Sequence, residues 1–161
     1  MTREEKQLLL ADLCARLPYG VKCKVETCAP PATIASINDE GGVTVRLVDK
    51  NGMTRGVGWD YLADIKPYLR PIDTMTGDER GELLFLLAEG RTNIELNTNG
   101  QLITKDDVKL GFNYPFVCPQ GSGEYIDFLN AHHFDYRGLI EKGLALKAPD
   151  GMYDDKKRLG L

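Results

Sequence analysis

The spacing of apolar residues changes at Pro18-Tyr19-Gly20. Before this tripeptide they recur every three or four positions, which is typical of an amphipathic helix. After it they alternate with charged residues, which is typical of a half-buried strand. Proline and glycine in this order end a helix, so the chain begins with a helix that packs through one face and continues as a strand. The predicted apolar stripe comprises Leu10, Leu13, Cys14 and Leu17, opposite Arg3, Lys6 and Arg16.

A capping box marks the start of this helix. The Thr2 hydroxyl can accept from the backbone N–H of Glu5, and the Glu5 carboxylate can accept from the backbone N–H of Thr2. The sequence therefore predicts that the helix starts next to Thr2.

Residues 21–65 carry the pattern of short antiparallel strands. Period-two alternation predicts strands at 21–25, 33–37, 43–47 and 53–59, and Asn51-Gly52 is typical of a tight hairpin turn. Gly56 and Gly58 indicate a bulge or sharp bend, and Tyr61, Leu62 and Ile65 fit one helical turn. These features favour a small SH3-like barrel, and any small antiparallel meander would give the same pattern.

A proline-containing stretch, Lys66 to Pro71, is predicted to be a connector, because each proline forces the residue before it out of the helical region. We therefore expect two units, residues 1–70 and residues 71–161, either as separate domains or packed together as one. The predicted fold class is α+β, with a β-rich first unit and a mainly helical second unit that includes a short hairpin.

The second unit contains its own helix and hairpin signals. Thr76 and Glu79 repeat the capping-box spacing, and Asn99-Gly100 predicts a hairpin. A last short helix is expected from Asp135 to Gly143, and fraying is expected after Pro149. No element is predicted for residues 105–121. The predicted apolar faces comprise Leu83, Leu84, Leu87 and Ala88 in one helix and Tyr125, Phe128, Leu129 and His132 in a helix over 123–132.

Few residues in this sequence point to catalysis or metal binding. His132 and His133 are adjacent, so on a helix they diverge and cannot grip one ion together. Cys118 and Ser122 lack the surrounding pattern of an activated nucleophile, and the spacing of Cys23 and Cys28 is not that of a zinc knuckle. We therefore expect no enzyme, no metal and no cofactor.

The cysteines and the N-terminus indicate a reducing compartment. The four cysteines contain no Cys-x-x-Cys pair, so we expect free thiols. The first residues mix both signs of charge and lack the long apolar region of a secretory signal, and no apolar run is long enough for a membrane span. The expected location is the cytoplasm.

Charge is distributed unevenly along the chain, although the net charge is only −4. Residues 44–70 carry a charge of +2 and residues 71–100 a charge of −4. Aromatic residues lie within or next to the basic stretch, which is a composition suited to an acidic peptide or a phosphate backbone. The candidate partner-binding residues are Arg46, Arg55, Trp59, Tyr61, Tyr68 and Arg70.

Three stretches carry a resemblance to a known family: Leu13 to Gly20, Ile65 to Pro71 followed by Met75-Thr76, and Asp127 to Leu146. They resemble uncharacterised proteins carried by phages, prophages and other mobile elements of gut anaerobes. The resemblance implies a small accessory protein in an infected or lysogenic bacterium, and it supplies no functional residues. The leading hypothesis is a non-enzymatic module that binds a phage or host protein. The alternative is a nucleic-acid-binding protein that uses the same basic and aromatic surface.

Overall fold

A computed structural model of the chain describes residues 1–25, 28–38, 40–48, 53–88, 94–96, 102–104 and 123–154. It confirms the α+β class. The helices are α1 (Arg3–Arg16), α2 (Gly77–Ala88) and α3 (Glu124–Ala131), and the strands are β1 (Lys22–Val25), β2 (Cys28–Ile37), β3 (Gly42–Val48), β4 (Thr54–Tyr61), β5 (Ile65–Leu69), β6 (Ile94–Leu96), β7 (Leu102–Thr104) and β8 (Leu146–Lys147).

The predicted capping box is present at the start of α1. The Thr2 hydroxyl accepts from the Glu5 amide at 3.1 Å, and the Glu5 carboxylate accepts from the Thr2 amide at 2.6 Å. After Arg16 the chain forms one 3₁₀ turn, and Gly20 then adopts a left-handed backbone with φ +70°. The predicted helix end is therefore confirmed, for the expected reason that glycine has no Cβ to clash in this conformation.

The main sheet has six strands in the order β4-β3-β2-β1-β5-β8. Neighbours from β4 to β5 are antiparallel, and β8 runs parallel to β5. The predicted meander is confirmed. Within the described residues β4 and β8 are the two edges of an open sheet, so the SH3-like barrel is not confirmed.

The predicted connector at Lys66–Pro71 is wrong, because most of it is strand β5. Ile65, Pro67 and Leu69 are buried and alternate with exposed or half-buried residues. The extended backbone that a proline imposes on the preceding residue suits a strand as well as a linker. β8 pairs only with Tyr68 and Leu69, so Pro67 lies at a position where one side of β5 is a sheet edge, and there proline is tolerated.

Two compact units divide the chain, close to the predicted boundary. The first contains Met1–Leu69 together with the described residues from Leu139 onward, and the second is Arg70–Gly138. Residues 139–154 were expected in the second unit and instead join the first. They do so through β8, and through the Ala148 amide, which donates to the Leu69 carbonyl at 2.7 Å.

The core of the first unit lies between α1 and one face of the sheet. The buried side of α1 differs from the predicted stripe: Leu9, Asp12, Leu13 and Arg16 are buried, and Cys14 is exposed. Three consecutive leucines at 8–10 leave the phase of the stripe undetermined in the sequence, and tertiary packing selects Leu9. The sheet contributes Val21, Cys23, Val25, Ala32, Ile34, Val43, Val45, Ile65 and Leu69.

The second unit is built on α2 and α3. Thr76 and Glu79 form the predicted capping box at α2, and β6 and β7 form the predicted antiparallel hairpin. Its core comprises Met75, Leu83, Tyr125, Phe128, Leu129, Phe134 and Tyr136.

The chain after α3 differs from the prediction in two ways. The short helix expected from Asp135 to Gly143 is a series of turns, although Gly143 has the left-handed φ of +69° expected of a terminating glycine. Residues 149–154 were expected to fray and are instead attached to the first unit, through contacts of Met152 and Tyr153 described below.

Candidate functional site

The sheet of the first unit has one covered and one outer face. In β3, Val43 and Val45 point into the core, so alternation places Thr44 and Arg46 on the opposite face. Cross-strand register then places Val57, opposite Arg46, on this same face. We call it the outer sheet face. Its described members include Lys22, Lys24, Arg46, Val57, Tyr61, Lys66 and Tyr68.

Two apolar side chains of β4 are strongly exposed on the outer sheet face. Val57 is 64% exposed and Tyr61 is 70% exposed. Trp59 pairs with Thr44 and occupies the register position between them, while its side chain lies outside the described residues. Val57 and Tyr61 are four residues apart along β4, so they contribute two separate exposed apolar side chains to this face.

The charges on the outer sheet face all have one sign. Lys24 and Lys66 are direct cross-strand partners and both are exposed, and Arg46 is also exposed. Like charges placed directly opposite each other destabilise a sheet slightly. An anionic partner would remove this repulsion.

Lys22 differs from the other basic residues because the C-terminal segment engages it. Its ammonium donates to the Met152 carbonyl at 2.6 Å and lies 5.4 Å from the centre of the Tyr153 ring. The Lys22 ammonium is therefore already engaged by other residues of the first unit, whereas the side chains of Lys24, Lys66 and Arg46 are exposed to solvent.

A shallow depression of about 280 Å³ lies beside Tyr61 at the end of β4. Its polar groups include turn residues that already hydrogen bond: the Asn38 side-chain oxygen accepts from the Gly42 amide at 2.6 Å, and the Asp60 carboxylate accepts from the Tyr61 amide at 2.9 Å. The depression is lined by Asn38, Glu40, Gly42, Asp60 and Tyr61.

The six predicted binding residues are not all brought together. Arg46, Arg55, Trp59 and Tyr61 lie on the neighbouring strands β3 and β4. Tyr68 lies on β5, which is separated from β4 by three strands. The backbone carbonyl of Tyr68 accepts a hydrogen bond from the Tyr153 hydroxyl at 2.8 Å.

Arg70 belongs to the second unit and is committed to it. Its guanidinium contacts the Glu79 carboxylate at 2.7 and 3.0 Å and lies 4.3 Å from the centre of the Phe134 ring. Its backbone also pairs with the segment around Phe134. The predicted binding rim of Trp59, Tyr61, Tyr68 and Arg70 therefore does not form one surface within either unit.

An ion pair that the sequence analysis missed lies in the first unit. The Arg16 guanidinium donates to the Asp12 carboxylate at 2.8 and 3.0 Å, and both side chains are 0% exposed. Their i, i+4 spacing was visible in the sequence, with Leu9 and Leu13 on the same side of the helix. Because Arg16 lies opposite the predicted apolar stripe, the sequence did not indicate that this pair is buried.

Tyr153 closes the gap between β1 and β5 where their pairing ends. Its hydroxyl donates to the Tyr68 carbonyl and accepts from the Lys22 amide at 3.1 Å. Burial raises the pKa of the phenol above its ordinary value, so the hydroxyl keeps the proton that it donates. Nothing in the local sequence marked this tyrosine, because its partners lie 85 and 131 residues away.

The histidines occupy structural positions. The His132 ring nitrogen Nδ1 lies 3.0 Å from the Phe128 carbonyl, and its ring lies 4.2 Å from the Phe128 ring. His133 is buried, has φ +58°, and accepts a hydrogen bond from the Arg70 amide through its backbone carbonyl. Adjacent positions on a helix predict one packed and one exposed histidine; His133 is buried as predicted, whereas His132 is half-buried rather than exposed.

The cysteines do not converge on a site in the described part of the chain. Cys23 is buried as expected, Cys14 is exposed contrary to expectation, and neither forms a disulfide. The side chains of Cys28, Cys118 and Ser122 lie outside the described residues. Within the ranges that the structure describes, no group of three or more His, Cys, Asp or Glu residues could hold a metal ion.

Comparison of the chain with protein-family models, curated proteins and solved structures finds no significant match. Among the described residues, no helix is both long and apolar enough to cross a lipid bilayer.

Proposed function

We propose that this protein is a non-enzymatic binding module whose outer sheet face holds an acidic segment of a partner protein. One observation carries the proposal: each charged side chain that the described strands place on this face is a lysine or an arginine. The exposed Val57 lies directly opposite Arg46, and Tyr61 adds apolar area farther along β4. Electrostatic complementarity of this kind steers association and selects the partner.

The finer parts of the proposal rest on the sequence. The resemblance to phage and mobile-element proteins supports a phage or host protein as the partner, in the bacterial cytoplasm. The consecutive antiparallel strands β1 to β4, followed by a turn at 62–64 and then β5, support an SH3-like description of the first unit. Of the predicted residues, Arg46 and Tyr61 lie on the proposed surface, and Trp59 occupies a register position on it. Tyr68 lies on the same face in β5, and Arg55 falls at the register shift between β3 and β4. Arg70 instead belongs to the second unit, where it pairs with Glu79.

The test measures binding of a fluorescein-labelled decapeptide rich in Asp and Glu by fluorescence anisotropy. The triple variant Lys24→Glu, Arg46→Glu, Lys66→Glu reverses the charge of the outer sheet face. The control variant Arg3→Glu, Lys6→Glu, Lys142→Glu makes the same net change at exposed positions elsewhere. Surface ion pairs contribute about 0.2–1 kcal/mol each, so we expect the first triple to weaken binding by about tenfold and the control by less than threefold.

Two outcomes contradict this proposal. Equal losses in both triple variants would mean that binding responds only to net charge. An absence of peptide binding by the unmodified protein at low salt would remove the proposed function altogether.

Nucleic acid is the second candidate, because the pair of Lys24 and Lys66 also suits phosphates. A labelled 20-nucleotide single-stranded DNA probe tests it in the same assay. Affinity for DNA that falls steeply with salt, is lost in the outer-face triple variant and exceeds that for the acidic peptide would favour this function over protein binding.

A further inference from the structure

Strand β4 is the edge strand of the sheet of the first unit next to the candidate surface. It is eight residues long and pairs with β3 on one side, and within the described residues no strand pairs with its other side. An edge strand presents backbone N–H and C=O groups that can pair with another chain.

The sequence of β4 lacks much of the protection that edge strands usually carry. Natural edges are blunted by prolines, by central charges, by bulges or by short length. β4 contains no proline. Its charged residues, Arg55 and Asp60, and its register shift between Thr54 and Gly56 lie near its ends. The central residues 56–59 are uncharged, and Val57 is strongly exposed.

We infer that β4 takes up an extended segment of the partner as an additional strand, with an acidic side chain opposite Val57 and an apolar side chain opposite Tyr61. This inference rests on the proposed function and specifies the partner of the same surface. Strands are spaced by about 4.8 Å, so the added strand lies about 10 Å from β3, a distance that extended arginine and glutamate side chains span together. Arg46 is the cross-strand neighbour of Val57 and is the cation that reaches this acid.

The register of β4 fixes the spacing of the two partner side chains. Val57 and Tyr61 are four residues apart and lie on the same face, as their cross-strand partners in β3 require. Because side chains alternate along a strand, partner residues four apart can face both of them, and partner residues three apart cannot. The preferred segment therefore has an acidic residue and an apolar residue separated by three others.

A second copy of this chain is a poorer occupant of the same edge. Two β4 strands paired antiparallel over their full length would place Arg55 opposite Asp60 and Gly58 opposite Val57. Arg46, the cross-strand neighbour of Val57, would then gain no acidic partner, whereas an acidic residue of a partner segment opposite Val57 complements it.

The experiment uses two labelled ten-residue peptides of identical composition, built on threonine and serine. One has Glu and Phe four positions apart and the other has them three positions apart. Binding to the full chain is measured by fluorescence anisotropy, and circular dichroism checks that each protein variant is folded. We expect the first peptide to bind at least fivefold more tightly than the second.

Two variants with the same charge reversal separate this inference from the proposed function. Arg46→Glu lies next to β4, and Lys24→Glu lies on the same face in β1, two strands away from β3. We expect Arg46→Glu to weaken binding of the four-spaced peptide at least fivefold and to abolish the preference for it. Lys24→Glu should weaken binding of both peptides alike and leave that preference unchanged. Tyr61→Ala should weaken binding of the four-spaced peptide, because it removes the apolar contact.

Three other results would contradict this inference. Equal affinity for both peptides, with equal losses in the two variants, would overturn strand addition while leaving the proposed function intact. Binding of neither peptide, together with no binding of the acidic decapeptide, would overturn both. A dimer in sedimentation equilibrium that the four-spaced peptide does not dissociate would assign the edge to a second copy and refute the inference.

Discussion

Arg70 and Glu79, nine residues apart, form a two-contact ion pair in the second unit, with N···O distances of 2.7 and 3.0 Å. The same Glu79 carboxylate accepts from the Thr76 amide at 2.8 Å and so caps the start of α2. On its other side the Arg70 guanidinium lies over the Phe134 ring. Arg70 thereby connects the first turn of α2 with the segment that follows α3.

The Arg70 and Glu79 pair should make the stability of the second unit depend on acid. Burial alone would raise the pKa of Glu79, but the hydrogen bonds from Arg70 and Thr76 and the Arg70 charge lower it from 4.5 to about 2. A carboxyl whose pKa is lower in the folded state contributes stability above its unfolded pKa, and this contribution is lost as pH falls through the folded pKa. We expect the free energy of unfolding, measured from the helical circular dichroism signal in urea, to fall as the pH is lowered from 4.5 to about 2.

Glu79→Gln should flatten this pH dependence and lower the unfolding free energy at pH 7 by about 1–2 kcal/mol, because it weakens a cap and an ion pair. Asp78→Asn, at an exposed neighbouring position of the same helix turn, is the matched control. An unchanged acid transition in Glu79→Gln would show that Glu79 is not the titrating group.

Removing the charge of either partner in the buried pair of Asp12 and Arg16 should strongly lower the free energy of unfolding. Arg16→Met leaves a buried carboxylate and Asp12→Asn leaves a buried guanidinium, and each should reduce the unfolding free energy by about 3–5 kcal/mol. The double variant Asp12→Asn, Arg16→Met should lose clearly less than the sum of the two single losses, because no uncompensated charge remains. Urea unfolding followed by circular dichroism measures all three values, and strictly additive losses would contradict a coupled pair.

Tyr153→Phe removes one hydroxyl and leaves the ring. We expect it to lower the unfolding free energy by about 1–3 kcal/mol, because the Lys22 amide and the Tyr68 carbonyl lose the hydroxyl that bridges them. Tyr19→Phe removes a hydroxyl from an exposed tyrosine and should change stability by less than about 0.5 kcal/mol. Similar effects of the two substitutions in urea unfolding would argue against the bridge.

The two glycines of β4 should respond differently to alanine. A Cβ at Gly58 would lie 3.2 Å from the Val45 side chain, which is buried and has little room to move, whereas a Cβ at Gly56 would meet Leu47 at an ordinary 3.9 Å. Gly58→Ala should therefore lower the melting temperature and destabilise by about 1 kcal/mol, while Gly56→Ala should be neutral or slightly stabilising. Thermal unfolding compares them, and a more harmful Gly56→Ala would contradict the packing argument.

Local signals in the sequence predicted most of the elements. Both capping boxes were found at Thr2 and Thr76, because the interacting groups are only three residues apart. Alternation from Val21 onward predicted β1, β3, β4 and the second half of β2, since a strand with one buried face repeats every two residues. β2 begins at Cys28, five residues before the predicted start. The helix-ending glycine at Gly20 was equally evident, because its requirement is a property of a single backbone position.

Features that depend on distant partners were missed. The proline-containing stretch that was predicted to be a connector forms most of strand β5, because it pairs with β1 and β8. The C-terminal segment is held by Tyr153, whose contacts are with β1 and β5. The candidate surface was found in part: Arg46 and Tyr61 are on one face, but Arg70, near Tyr68 in sequence, belongs to a different unit.

Local sequence was enough to predict both ends of α1, the starts of α2 and α3, and the strands β1, β3 and β4, because caps, turns and apolar periods act over a few residues. Tertiary packing decided that β5 and β8 are strands, which basic residues share a face, which polar residues are buried, and which unit the last described residues join. These outcomes depend on strand order and on the rotation of α1, which are set by packing between residues far apart in the chain. The basic stretch seen in the sequence thus became a defined surface through the register of β3 with β4 and of β1 with β5.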